Sequence, residues 1–179
     1  MIFNKTPIQG VYIIEQTISK DRRGSFVKNF QSSLFEKNNL EFDFKESYYT
    51  KSQEDVIRGM HFQIPPHDHA KFITVISGTI VDVVLDVRKS SATYGSYFEI
   101  ELSRENRKSL YIPRGIAHGF GVLSDMAIAY YQVTSEHKPE HDKGIHFGSF
   151  GFSWPIANPV TSDRDEAFPN FCDFESPFL

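Results

Sequence analysis

Hydrophobic residues along this chain fall into short alternating runs rather than helical stripes. The run "KFITVISGTIVDVVLDVR" (71–88) reads as two strands rich in Val and Ile, separated by the turn signal "SGT". In its second half Val81, Val83, Leu85 and Val87 share one face, because side chains alternate across a strand. Ile80, Asp82, Val84, Asp86 and Arg88 share the other. The wholly apolar face is expected against packed core. The face with two carboxylates and a guanidinium is expected toward water or a polar cavity.

The same pattern predicts a strand at "SYFEIELS" (96–103), a strand–turn–strand unit at "KSLYIPRGIAHGFGVLSD", a strand at "MAIAYYQVTSE" (126–136) and a strand-like run at "VIRGMHFQ". Helix signals are few. "SSLFEKNN" (32–39) offers Ser32 or Ser33 as cap with Glu36 in a capping-box position, and "TSDRDEAF" (161–168) begins a second short helix. Many short strands with turn signals about every ten residues predict a β-sandwich or barrel. From about residue 151 the tail, rich in Pro and aromatics, is expected to pack as irregular chain over that barrel.

At 179 residues, the chain suits a single domain spanning 1–179. A net charge of −4 gives no overall basic field, so neither nucleic acid nor an anionic membrane is an expected partner. Cys172 is the single cysteine, which excludes an intrachain disulfide and a four-cysteine zinc site. No apolar run approaches the ~20 residues of a membrane span, and the N-terminus lacks the pattern of a signal peptide. The expected location is the cytoplasm.

The candidate chemistry centres on "RGMHFQIPPHDHAK" (58–71), with His61, His67 and His69 within nine residues and Lys71 at its end. His67, His69 and Gly78, with "PRGIAH" (113–118) carrying His118, follow part of a metal-cupin pattern. The glutamate of that pattern is absent: Ile73 and Thr74 stand in its place. The Lys71 ammonium also repels a divalent cation. Three imidazoles alone satisfy zinc, so a metal stays open at this point. The plain alternative makes His67 and His69 loop residues after Pro65-Pro66. Arg58 points away from His61 and Gln63 in a regular strand, unless Gly59 kinks it.

"RGMHFQIPP…K", "VDVVLDVRKSSATYG", "YIPRGIAHGFGVLSD" and "PEHDKGI", in this order, resemble the RmlC-type dTDP-4-dehydrorhamnose 3,5-epimerases. The resemblance runs from "DRRGSF" (21–26) to "PVTSDRDEAFP" (159–169). It implies an all-β, cupin-like jelly roll with a few short peripheral helices, working without metal or other cofactor. It also implies a homodimer that shares strands, and a nucleotide-diphosphate-linked 4-keto-6-deoxy sugar as substrate. In residue terms it implies His61 as base, Asp165 as its orienting carboxylate, Tyr131 as acid on the opposite face and Lys71 beside the sugar carbonyl. Arg23, Phe26, Lys28, Tyr49, Arg58, Gln63, Asp82 and His118 become candidate substrate-binding or supporting residues. Tyr130 is the rival of Tyr131; the two point to opposite faces of a strand, and counting back from Thr134 favours Tyr131.

Where the family commonly has Arg-Gly-Phe-Phe-x-Glu, this chain has "RGSFVK", and where it favours Asn-His there is Tyr48-Tyr49. Gln132 stands where a lysine is common. The base is therefore open among dTDP, CDP and GDP, and the sugar between hexose and heptose. Besides epimerisation at C3, C5 or both, three readings remain: a keto-isomerase of the same substrates, a metal-dependent cupin enzyme, or a non-catalytic sugar-binding jelly roll.

Overall fold

The computed structural model describes residues 1–179. In chain order the strands are β1 (Ile2–Lys5), β2 (Tyr12–Glu15), β3 (Thr17–Asp21), β4 (Gly24–Lys28), β5 (Glu46–Gln53), β6 (Ile57–Gln63), β7 (Lys71–Ser77), β8 (Thr79–Asp86), β9 (Tyr97–Ser103), β10 (Lys108–Ile112), β11 (Ile116–Val122), β12 (Met126–Val133) and β13 (Asp142–Gly144). Helix α1 (Ser32–Lys37) lies between β4 and β5, and α2 (Asp163–Glu166) lies in the tail. A six-stranded sheet in the order β1-β2-β10-β7-β12-β5 packs on a five-stranded sheet in the order β13-β6-β11-β8-β9, while β3 and β4 form a separate hairpin. This is the expected all-β, cupin-like jelly roll.

Between the sheets lies a core that includes Ile73, Val75, Ile80, Val84, Leu110, Ile112, Phe120, Val122, Ala127, Ala129 and Tyr131. The wholly apolar face of β8 meets packed core as expected, but that core lies outside the sandwich. The face with the carboxylates, not the wholly apolar one, points between the sheets. Val81, Val83, Leu85 and Val87 point outward and are buried with Met60, Phe62, Ala117, Ile145, Phe150 and Phe178. Phe152, Trp154, Phe171 and Phe174 of the tail pack against this group. Both faces of β8 are thus buried, one by the other sheet and one by the tail.

Asp82 and Asp86 are 0% exposed, and each has partners. Arg88 pairs with Asp86 through Nη2 at 2.7 Å, and the Ser91 and Thr93 hydroxyls donate to the same carboxylate. A third apolar group, Ile14, Phe35, Leu40, Ala70, Phe72 and Tyr111, seats α1 on the other face of the six-stranded sheet. The N-cap of α1 is Gln31 rather than a serine, with no side-chain cap bond. Gln31 Nε2 donates instead to Ser33 Oγ at 3.1 Å, and burial of Phe35 holds the helix.

Candidate active site

Strands of both sheets converge on one cavity. Strand β6 supplies His61, β7 supplies Lys71, β11 supplies His118 and β12 supplies Tyr131. Alternation explains the choice between the adjacent tyrosines: β12 buries Ala127, Ala129, Tyr131 and Val133 and leaves Tyr130 half-buried on its other face.

Strand β6 breaks its alternation at Gly59. Its pairing with β11 shifts register there, with His61 opposite His118 but Arg58 opposite Phe120. One extra residue on β6 makes this a bulge. Arg58 and His61 consequently line the same cavity, although a regular strand would separate them. Glycine is required at the bulge, since φ is +135° and a Cβ would lie 2.5 Å from Gly119 Cα.

The bulge also builds the pair at the heart of the site. Ser162 caps α2 by accepting from the Asp165 N–H at 3.2 Å, which sets Asp165 at the helix start. Asp165 Oδ2 accepts from the Gly59 N–H at 3.0 Å, and Oδ1 accepts from His61 Nε2 at 2.8 Å. Burial alone would raise this carboxyl's pKa. The His61 hydrogen bond and charge, with the bonds from Gly59 and Ser162, outweigh burial and hold it below the usual carboxylate range. An ionised Asp165 can only accept, so the His61 proton sits on Nε2 and Nδ1 keeps its lone pair.

Lys71 is 6% exposed, and its Nζ donates to the His61 carbonyl at 3.0 Å. Burial lowers its pKa to about 8, against the opposing pull of Asp142 and Asp82. Tyr131 is raised well above its ordinary value, first by burial and then by Tyr48 and Asp82. Its phenol is therefore protonated across the neutral range. Behind His118 stands Asp82, whose Oδ2 lies 2.9 Å from His118 Nε2. Asp82 supports His118 and does not line the cavity itself.

Other expected residues fall differently. Gln63 borders the cavity, but its amide is occupied by the chain: Nε2 donates to the His67 and Glu136 carbonyls and Oε1 accepts from the Lys138 N–H. Tyr49 is 68% exposed and points away. Its neighbour Tyr48, opposite Tyr131 in the register, faces in and stacks on Tyr131 at 4.9 Å. The odd residue of the pair was expected, and strand parity selects the even one. Arg23, Phe26 and Lys28 stand on the β3–β4 hairpin and do not line this cavity. Arg23 pairs only with Asp21 on the same hairpin.

The structure adds residues that sequence reasoning passed over. Thr50 comes from β5, and Phe62 and Phe120 wall the cavity. His137 and Asp142 border it as well, with Asp142 Oδ2 3.1 Å from His137 Nε2 and 2.9 Å from Arg164 Nη2. Asp142 had a signal, since it lies in "PEHDKGI". His67 packs edge-on against His141, whereas His69 lines the cavity. Nowhere do three or more His, Cys, Asp or Glu side chains converge in a way that would hold a metal ion.

The cavity encloses about 180 Å³. Sites for drug-sized ligands start near ~300 Å³, so this one suits a sugar ring and leaves any attached nucleotide outside. Its base-type imidazole, buried ammonium and protonated phenol have the makings of proton transfer at a carbon acidified by a ketone.

The family model described as dTDP-4-dehydrorhamnose 3,5-epimerase matches residues 5–173. A protein of that name from Methanothermobacter thermautotrophicus is 41% identical over 168 residues, covering 91% of this chain and 90% of the relative. Another from Shigella flexneri is 37% identical over 172 residues, covering 94% and 95%. The crystal structure of dTDP-6-deoxy-D-glucose-3,5-epimerase from Legionella pneumophila, in complex with dTDP-4-keto-L-rhamnose, superposes with a TM-score of 0.93. That protein is 33% identical, and the match covers 97% of this chain and 94% of the other. A match of this length, with this fold, shows that the chain belongs to the dTDP-4-dehydrorhamnose 3,5-epimerase family and is a carbohydrate epimerase.

Proposed function

We propose that the chain epimerises C3, C5 or both of a dTDP-linked 4-keto-6-deoxy sugar, in the cytoplasm, toward surface polysaccharide precursors. The observation that carries the reading is the His61–Asp165 pair, placed in one cavity with Lys71 and Tyr131. His61 Nδ1 removes the proton from the carbon beside the ketone. The bonding electrons move onto the ketone oxygen, and the enolate oxygen is stabilised by the Lys71 ammonium. Asp165 stabilises the imidazolium that His61 becomes. Tyr131 gives its phenolic proton to the opposite face, which inverts the centre. His118 and Arg58 contact the sugar, with Asp82 holding His118. The dTDP assignment draws on the names of the relatives and on the ligand of the Legionella protein. Ser25 and Lys28 in "RGSFVK" set the hairpin of this chain apart from the common family pattern.

A homodimer completes the site in this reading. The β3–β4 hairpin buries almost nothing, with Phe26 66% exposed and Val27 39% exposed. An isolated two-stranded hairpin is marginal in water. Docked on a second copy, it would bury these side chains and carry Arg23, Phe26 and Lys28 to the mouth of the partner's cavity, where the nucleotide must lie. Residues 1–179 then act as one catalytic unit per subunit.

Incubation with dTDP-, CDP- and GDP-linked 4-keto-6-deoxy sugars in D₂O, followed by NMR, tests the reading. Deuterium is expected at C3 or C5, fastest with dTDP. Exchange with none of the three would sink it. His61→Asn is expected to slow exchange ~10²–10⁴-fold, the usual range for a lost general base.

A further inference from the structure

The segment between β6 and β7 holds a histidine whose protonation is set by its neighbours. Gln63 Oε1 accepts from the Lys138 N–H, and Gln63 Nε2 faces the His67 carbonyl at 2.7 Å and the Glu136 carbonyl at 3.2 Å. Reversing the amide would set its oxygen against two carbonyls and its NH₂ against an N–H, so the orientation is fixed. That same Nε2 lies 3.1 Å from His69 Nδ1. The amide has two N–H groups for three acceptors, so one N–H is shared; an Nδ1–H would set donor against donor, which leaves His69 Nδ1 as the bare nitrogen.

The neutral ring therefore carries its proton on Nε2. This atom is buried and has no partner in the chain. Burial first, then the charges of Lys71 and Arg114, hold the His69 pKa down to about 3, against a weaker upward pull from Asp142, so the ring stays neutral at working pH. Arg114 steadies the segment from the other side through the carbonyl and carboxylate of Asp68. A buried N–H left unpaired is costly, and both neighbouring anchors keep the ring from turning to satisfy it.

We infer that His69 is a specificity-determining residue: its Nε2–H donates to an acceptor oxygen of the sugar in the cavity, and Gln63 positions it by fixing the tautomer. This rests on the epimerase reading above and names a contact that reading leaves open. The ring lines the cavity together with His61 and Lys71. A neutral donor selects a hydroxyl or keto oxygen, and a sugar without that oxygen would leave the N–H unpaired, which is how such sites discriminate.

The test compares His69→Phe, which keeps ring volume and removes the donor, with His69→Gln, which keeps an N–H. Epimerisation of the dTDP-linked 4-keto-6-deoxy hexose is expected to lose about 10–100-fold in kcat/KM with Phe and only a few-fold with Gln, the size of one lost hydrogen bond. In ¹⁵N NMR the His69 ring of the wild type is expected as the Nε2–H tautomer at pH 7, with that resonance moving on saturation with the unreactive probe dTDP-glucose. Gln63→Leu is expected to mix the tautomers. Wild-type exchange in D₂O with Phe and Gln variants equally active, or equally impaired, overturns the inference and leaves the epimerase reading intact. An Nδ1–H tautomer, or no movement with the probe, also overturns it. Absence of any wild-type exchange removes the epimerase reading and this inference with it.

Discussion

Lys71 carries two opposite pH effects. Its ammonium is what the enolate needs, yet burial lowers its pKa from 10.5 to about 8. Asp142 and Asp82 pull the other way, and His61 and His69 complete its surroundings. Activity that needs the charged form is present below this value and lost as pH rises through it. The stability sign is the reverse. Between about pH 8 and 10.5 the unfolded chain binds a proton that the folded chain does not, so this group makes stability rise with pH there. The alkaline limb of kcat/KM, which reports the free enzyme, is expected near pH 8. Tyr131 titrates too high to cause it. Lys71→Met is expected to lower kcat/KM by ~10²–10³, with residual activity that no longer falls near pH 8. An unchanged limb in that variant would assign it elsewhere.

At the scale of elements, the bulge in β6 decides which side chains meet. It puts Arg58 beside His61 and turns the Gly59 N–H toward Asp165. Gly59→Ala must fit a Cβ 2.5 Å from Gly119 Cα at a φ unfavourable to L residues. We expect a loss of about 2–4 kcal/mol in stability, measured by denaturant unfolding, and a fall in activity at temperatures where the variant is still folded. A folded, fully active variant would show that the bulge does not shape the site. The bulge also marks where sequence reading stops. Strands β7, β8, β11 and β12 were legible because their alternation is regular and mostly buried, and the Tyr131 face followed from the same rule. Strands β1 to β5 were not. Their exposed, polar positions break the pattern, as in "ESYYTKS", where only strand parity separates Tyr48 from Tyr49. The two faces of β8 were legible as faces, but which met the other sheet depended on a tail more than sixty residues away. Asp165 lies 104 residues from His61, and no local pattern links them; only the family resemblance joined the two.

For the whole molecule, the exposed β3–β4 hairpin is the element a single chain leaves without a packing partner. A single chain places His61, Lys71 and Tyr131 in one cavity but keeps Arg23 and Phe26 outside it, on a hairpin with little to bury. The cavity holds about 180 Å³, so an attached nucleotide diphosphate lies beyond it. A guanidinium suits that diphosphate, because its planar fork matches phosphate oxygens. In the proposed two-fold dimer each hairpin would serve the other subunit, since such an interface is the same patch used twice. Mixing two inactive variants tests this. His61→Asn lacks the base, and Arg23→Ala lacks the proposed phosphate contact. In a mixed dimer, one cavity has the native His61 of the Arg23→Ala chain and the native Arg23 of the His61→Asn chain. The other cavity carries both defects. Unfolding and refolding the two together at equal amounts gives mixed dimers in half of the cases, so about a quarter of all cavities regain both residues. Activity near a quarter of wild type is expected from the mixture and from neither variant refolded alone. A mixture no more active than the average of its parents would mean that Arg23 acts within its own chain or not at all.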